Sequence, residues 1–169
     1  MIKIAEMTLD HYDAVSKLMR QTTGVTFRSA DSREATAAYL KRNPGLSFVA
    51  LDTVERDSAQ VIACAMCGHD GRRGYLQHVV VVPGYRRRGI ATMLVERCLS
   101  SLESIGIFKT HIEVQVDNEL ANAYWLKRGW TKRDEITRYS FIRSSNPNIL
   151  ARPRPVAIAS TAPQTEPYH

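Results

Sequence analysis

Apolar and polar positions recur with periods that change along the chain, and those changes divide it into elements. Ile2 and Ile4 flank a polar residue and predict a short opening strand. Thr8 stands as an N-cap before Leu9, Tyr12, Val15, Leu18 and Met19, whose spacing predicts a helix ended by Gly24. Ser32, with Ala35 beyond it, opens a second helix through Ala38, Tyr39 and Leu40, stopped at Pro44-Gly45. The period then shortens. Ser47–Leu51 and Gln60–Gly68 read as strands, and the polar, glycine-punctuated stretch from His69 to Gly74 makes a hairpin with a strand Tyr75–Val82. Gly89 to about Gly106 carries Ile90, Met93, Leu94, Cys98, Leu102 and Ile105 on one helical face. Thr110–Val116 predicts another strand, and Leu120–Arg128 a helix closed by Gly129. Trp130–Arg143 reads as a last hairpin turning near Asp134-Glu135. The order β-α-α-β-β-β-α-β-α-β-β is an α+β arrangement around one mixed sheet.

After Arg143 the composition shifts. Residues 144–169 hold Pro147, Pro153, Pro155, Pro163 and Pro167, which predicts one domain over 1–143 and a tail that is mobile or an arm onto a partner. The 169 residues, 44% apolar and 24% charged, suit a soluble globular domain. No apolar run reaches the roughly 20 residues that span a bilayer, and the N-terminal residues lack a signal-peptide core. The expectation is a cytoplasmic protein with no membrane partner. The net charge of +6 is scattered, with its densest cluster at Arg86-Arg87-Arg88. That pattern fits steering of anionic ligands better than nucleic-acid binding. Cys64 and Cys67 form a C-x-x-C on a strand, where alternation sends them to opposite faces. With no second pair to complete four ligands, buried thiols and no metal are expected.

Chemistry concentrates in Val79–Thr92, where an apolar strand enters a tight turn and then a basic helix start. Such a start leaves backbone N–H groups unpaired at the positive end of the helix dipole. Gly89 and Ala91 let an anion approach the main chain, and phosphate suits that geometry. Alternation on the preceding strand puts Leu76, His78, Val80 and Val82 on one face and Gln77, Val79 and Val81 on the other. His78 is the titratable side chain there, of an imidazole type whose ordinary pKa is about 6.5.

The spacing Arg86-x-x-Gly89-x-Ala91 resembles the (Q/R)-x-x-G-x-(G/A) signature of the GNAT superfamily of N-acetyltransferases. Asn118-x-x-Ala121 through Gly129-Trp130 resembles the family's second signature, N-x-x-A-x-x-(L/F)-Y-x-x-x-G-F. Two motifs in this strand context carry far more weight than one glycine pattern. The resemblance covers Ile2 to about Arg143. It implies a mostly antiparallel central sheet flanked by helices, and acetyl-CoA as cosubstrate. It also implies that the strand at Val80, Val81 and Val82 splays from its neighbour and pairs with the pantetheine arm. Amides of Arg87, Arg88, Gly89, Ile90, Ala91 and Thr92 would hold the pyrophosphate, with Arg86 adding charge. Backbone N–H groups near Val80–Val82 would also face the oxyanion that develops on the thioester.

Asn118 matches the motif asparagine, which touches pantetheine in the family; a helix N-cap suits it equally. The family's tyrosine, which protonates the departing thiolate, falls here on Trp125, whose indole cannot act as that acid. Trp125 is left to pack on cofactor or substrate. Tyr124 is one residue away, roughly 100° around the helix, so it does not simply take over that acid's place; it stays a catalytic candidate beside core packing, with water as the other proton source. His78 reads as the base for the amine or as a hydrogen-bonded sheet histidine. Glu113 is a second acid–base candidate. Phe27 and Arg28 sit between the first two helices, where the family shapes its acceptor pocket. The implied activity is acetyl transfer from acetyl-CoA to a primary amine of a small molecule or peptide, with a CoA-binding sensor as the alternative. A homodimer stays open.

Overall fold

The computed structural model describes residues 1–53 and 59–146. Among these residues five strands form one sheet in the order β1-β2-β3-β4-β5: β1 Ile2–Glu6, β2 Phe48–Asp52, β3 Gln60–His69, β4 Gly74–Val81 and β5 Thr110–Ile112. The first four are antiparallel neighbours, and β5 lies parallel to β4. Four helices join them: α1 Tyr12–Gln21, α2 Arg33–Arg42, α3 Ile90–Ser104 and α4 Glu119–Lys127. Thr8 precedes a short 3-10 turn that leads into α1, and the Ser32 hydroxyl caps α2 by accepting the Ala35 N–H.

The sheet separates two cores. On one face Leu94, Cys98 and Leu102 of α3 pack on Ala63, Ala65, Cys67 and Leu76, all buried. On the other, Val15, Leu18 and Met19 of α1 pack on Val49, Cys64, Met66 and Val80. Cys64 and Cys67 therefore do face opposite ways, and both are fully buried. Burial pushes the Cys64 thiol up to about 12, which keeps it protonated and inert.

The simple alternation expected on β4 is broken. Met66 pairs with His78 and Cys67 with Leu76, so Gln77 is an extra residue without a partner. This bulge sends Leu76 into the α3 core and leaves Val80 in the α1 core. Leu76, expected to share a face with His78 and Val80, points the opposite way.

The last expected hairpin also fails to form: residues 130–143 contain no strand. The predicted strand Thr110–Val116 ends at Ile112, and β4–β5 pairing covers three residue pairs, so little ladder remains for a further strand to join. Tyr139 and Phe141 are 89% and 91% exposed, which leaves the segment no buried face to fix a register. Most of the proline-containing tail, residues 147–169, lies outside the described residues.

Candidate active site

Beyond Leu76–Ile112 the β4–β5 ladder stops, while β4 runs on to Val81. The β5-facing edge of β4 is therefore open over its last residues. On the other edge, the Val82 N–H donates to the Ile62 carbonyl at 2.9 Å. Antiparallel alternation then turns the N–H groups of Val79 and Val81 toward the open edge and those of Val80 and Val82 toward β3. The Val81 carbonyl on that edge is met by Arg86 Nε at 3.1 Å. Arg86 thus fastens the strand end and spends a donor that the resemblance assigned to phosphate.

The open edge leads into a 3-10 turn at Pro83–Tyr85 and then into the start of α3. Arg87 has φ of 63° and Gly89 of 77°, two left-handed residues in three. A non-glycine residue held there is strained by the order of 1 kcal/mol, and such strain concentrates where backbone geometry serves a ligand. Gly89 is the N-cap and offers no side-chain cap, so the first-turn N–H groups of Ile90, Ala91 and Thr92 are left for an outside acceptor. Concave runs of this kind bind anions. Arg88 lies over the Tyr85 ring at 5.1 Å, and the Tyr85 hydroxyl donates to Asp52 at 2.7 Å, which fixes the turn.

Tyr124 reaches this end of the site. Its hydroxyl lies 3.3 Å from Thr92 Oγ1 on the first turn of α3. Trp125 does not pack on an open surface: it is 7% exposed inside the α3 core, edge-on to Tyr124 and Trp130 with ring centroids at 5.0 and 4.7 Å. The cause is the helix end. Gly129 is left-handed, its N–H bonds the Leu126 carbonyl, and the Trp130 N–H bonds the Trp125 carbonyl. This is a Schellman closure, in which the apolar contact of Trp130 on Trp125 is the usual companion. Asn118 takes the N-cap role, its Oδ1 accepting the Ala121 N–H at 3.1 Å.

His78 sits at the bulge on the α1 face. Its Nε2 lies 2.8 Å from Asp31 Oδ1, with side-chain exposures of 22% and 13%. Asp31 ends a 3-10 turn, Ser29–Asp31, in the connection between α1 and α2. The Arg28 N–H donates to Asp31 Oδ2 at 2.8 Å, and the Tyr12 hydroxyl donates to the Asp31 carbonyl at 3.0 Å. Burial opposes ionisation of Asp31, but the hydrogen bonds from His78 and the Arg28 backbone outweigh it, so the carboxyl is held below its ordinary value. The ionised carboxylate fixes the proton on His78 Nε2 and leaves Nδ1 as the free lone pair.

Phe27 packs against the α1 core with the Arg20 guanidinium 3.5 Å above its ring, and lines a narrow crevice beside Asp31. Arg28 holds Asp31 through its backbone N–H, and the charge of its exposed side chain also favours the ionised carboxylate. Glu113, next after β5, is 66% exposed and paired with Arg138. The partner that residue-by-residue reading missed is Asp31. It lies 47 positions from His78, and the local signal it offers, Arg28-x-x-Asp31, marks a turn rather than a dyad.

The profile of the acetyltransferase (GNAT) family matches residues 12–130. N-alpha-acetyltransferase 30 of Schizosaccharomyces pombe is 36% identical over 103 residues, 60% of this chain and 67% of the relative. PaiA N-acetyltransferase of Thermoplasma acidophilum, solved with coenzyme A, matches with a TM-score of 0.66 at 14% identity, over 76% of this chain and 88% of that one. The NatC complex bound to Gag peptide and CoA matches at 0.61 and 23% identity, over 76% and 82%.

Proposed function

Because the chain belongs to the acetyltransferase (GNAT) family, an N-acetyltransferase family whose structural neighbours bind CoA, we propose that its acceptor is the α-amino group of a peptide or protein N-terminus. The similarity to a relative named for that acceptor supports this choice. The observation that carries the chemistry is the open edge of β4, which runs from the Asp31–His78 pair into the left-handed turn at Arg87–Gly89.

Acetyl-CoA supplies an activated thioester. The residues present fit it: an unpaired strand edge for the pantetheine amides, and uncapped N–H groups on α3 for the pyrophosphate. The Val81 N–H donates from that edge toward the reacting carbonyl, where negative charge develops. His78 Nδ1 would take a proton from the incoming ammonium, directly or through one water, so that the amine lone pair attacks the thioester carbonyl; the C–S bond then breaks, and the proton shed by the acetylated nitrogen passes through water to the departing thiolate. Asp31 holds the ring and faces the positive charge that His78 acquires. Tyr124, bonded to Thr92, steadies the phosphate end.

A CoA-release screen tests the acceptor. One peptide is offered with a free N-terminus and with a formyl-blocked N-terminus, beside polyamines and aminoglycosides. Turnover confined to the free peptide is expected. Turnover that favours the polyamines or aminoglycosides overturns the peptide reading.

A further inference from the structure

A second polar cavity lies on the same sheet face as His78, between the C-terminal end of α2 and the β3–β4 hairpin. Its volume is about 240 Å³. Gln77, the bulge residue next to His78, lines one wall, and Tyr39, Arg42, His69 and Asp70 line the rest.

Its hydrogen-bonding groups are unevenly spent. Asp70 accepts the N–H groups of Arg72 and Arg73 on Oδ1 and the Tyr75 hydroxyl on Oδ2. Those bonds hold its carboxyl down at about 2 and commit it to its own turn. Asn43 accepts the His69 N–H and donates to the Tyr39 carbonyl. His69 Nδ1 accepts the Gly71 N–H, so its Nε2 carries the proton and is a free donor. The Tyr39 hydroxyl is buried without any hydrogen-bond partner. It lies over the hairpin backbone, since a methyl placed on Gly68 would come 2.7 Å from it. The Tyr39 hydroxyl and the His69 Nε2–H are thus donors without a partner, beside the Arg42 guanidinium.

We propose that this cavity binds a carboxylate on the acceptor, carried by the side chain of its third residue. This rests on the peptide reading above. From Tyr75 to His78 the strand runs about 10 Å, the length of about three extended residues. With its amine at His78 Nδ1, an extended peptide carries its third residue about 7 Å along this line, two residue steps, and an acidic side chain there covers the remaining distance toward Tyr39, Arg42 and His69. A carboxylate with several charge-assisted donors is held well above a neutral amide of the same shape.

Two peptides that differ by Glu or Gln at the third position test this through CoA release. The wild type is expected to show a KM about tenfold lower for the Glu peptide. In Arg42→Ala and in Tyr39→Phe that ratio falls toward one. Tyr39→Phe removes an unsatisfied hydroxyl, so its thermal stability is expected to hold or rise. Equal KM values in the wild type, or a preference that survives both substitutions, overturn the proposal. A titration of the N-acetylated peptides, followed by the amide signals of residues 68–74, separates the two readings. Glu-selective shifts without turnover leave the cavity standing and sink the transferase acceptor. Turnover without selective shifts does the reverse.

Discussion

Asp31 Oδ1 lies 2.8 Å from His78 Nε2, and this contact joins the α1–α2 connection to the bulged centre of β4. It sets both the orientation of the ring and the nitrogen left free to work. The connection between α1 and α2 is thereby tied to the strand whose edge is open beyond Leu76.

Asp31→Asn keeps the size of the side chain and its bond from the Arg28 N–H, but removes the charge and can offer its own N–H to His78. The expected result is a kcat reduced by roughly tenfold or more, with the KM for acetyl-CoA unchanged, and substantial recovery in Asp31→Glu. Equal changes in both constants, or no recovery in the Glu variant, would assign the pair a structural role instead.

The same pair makes stability depend on pH with a definite sign. Asp31 has a folded-state pKa below its ordinary value of 3.8, so the folded protein holds this carboxylate ionised more firmly than the unfolded chain. Its contribution is present in full above that value and is lost as the pH falls through the folded one. Melting temperatures of the wild type and Asp31→Asn should differ most near neutral pH and converge below about pH 4. A gap that widens on acidification would contradict the assignment.

Gly89→Ala places a methyl where nothing lies within 4 Å, but at φ of +77°. The cost is therefore backbone strain, roughly 1 kcal/mol, and calorimetry should show weaker CoA binding as the turn shifts. Gly89→Glu adds a negative charge at the anion site and should abolish binding. Undiminished affinity in the Glu variant would remove the pyrophosphate from this turn.

Most of the fold, with the strand, turn and helix start that the donor reading rests on, was legible in the chain because its signals are local. Strand, turn, glycine and helix start follow each other within Val79–Thr92, and the Asn118 cap precedes its helix directly. The surroundings of His78 were not, because they are assembled by distant pairing. Asp31 meets His78 through tertiary packing, and the β4 bulge depends on the register against β3. The burial of Trp125 was not legible, because its position in the motif says nothing of the Schellman closure that folds Trp130 onto it. The last hairpin had the right residues but found little strand edge to join.

The most direct test compares the wild type and His78→Ala on a peptide with a free N-terminus, with acetyl-CoA affinity measured on both by calorimetry. The open β4 edge and the Asp31–His78 pair predict a kcat lower by about 10²-fold in the variant, with acetyl-CoA bound equally well. An unchanged kcat would contradict the role of His78.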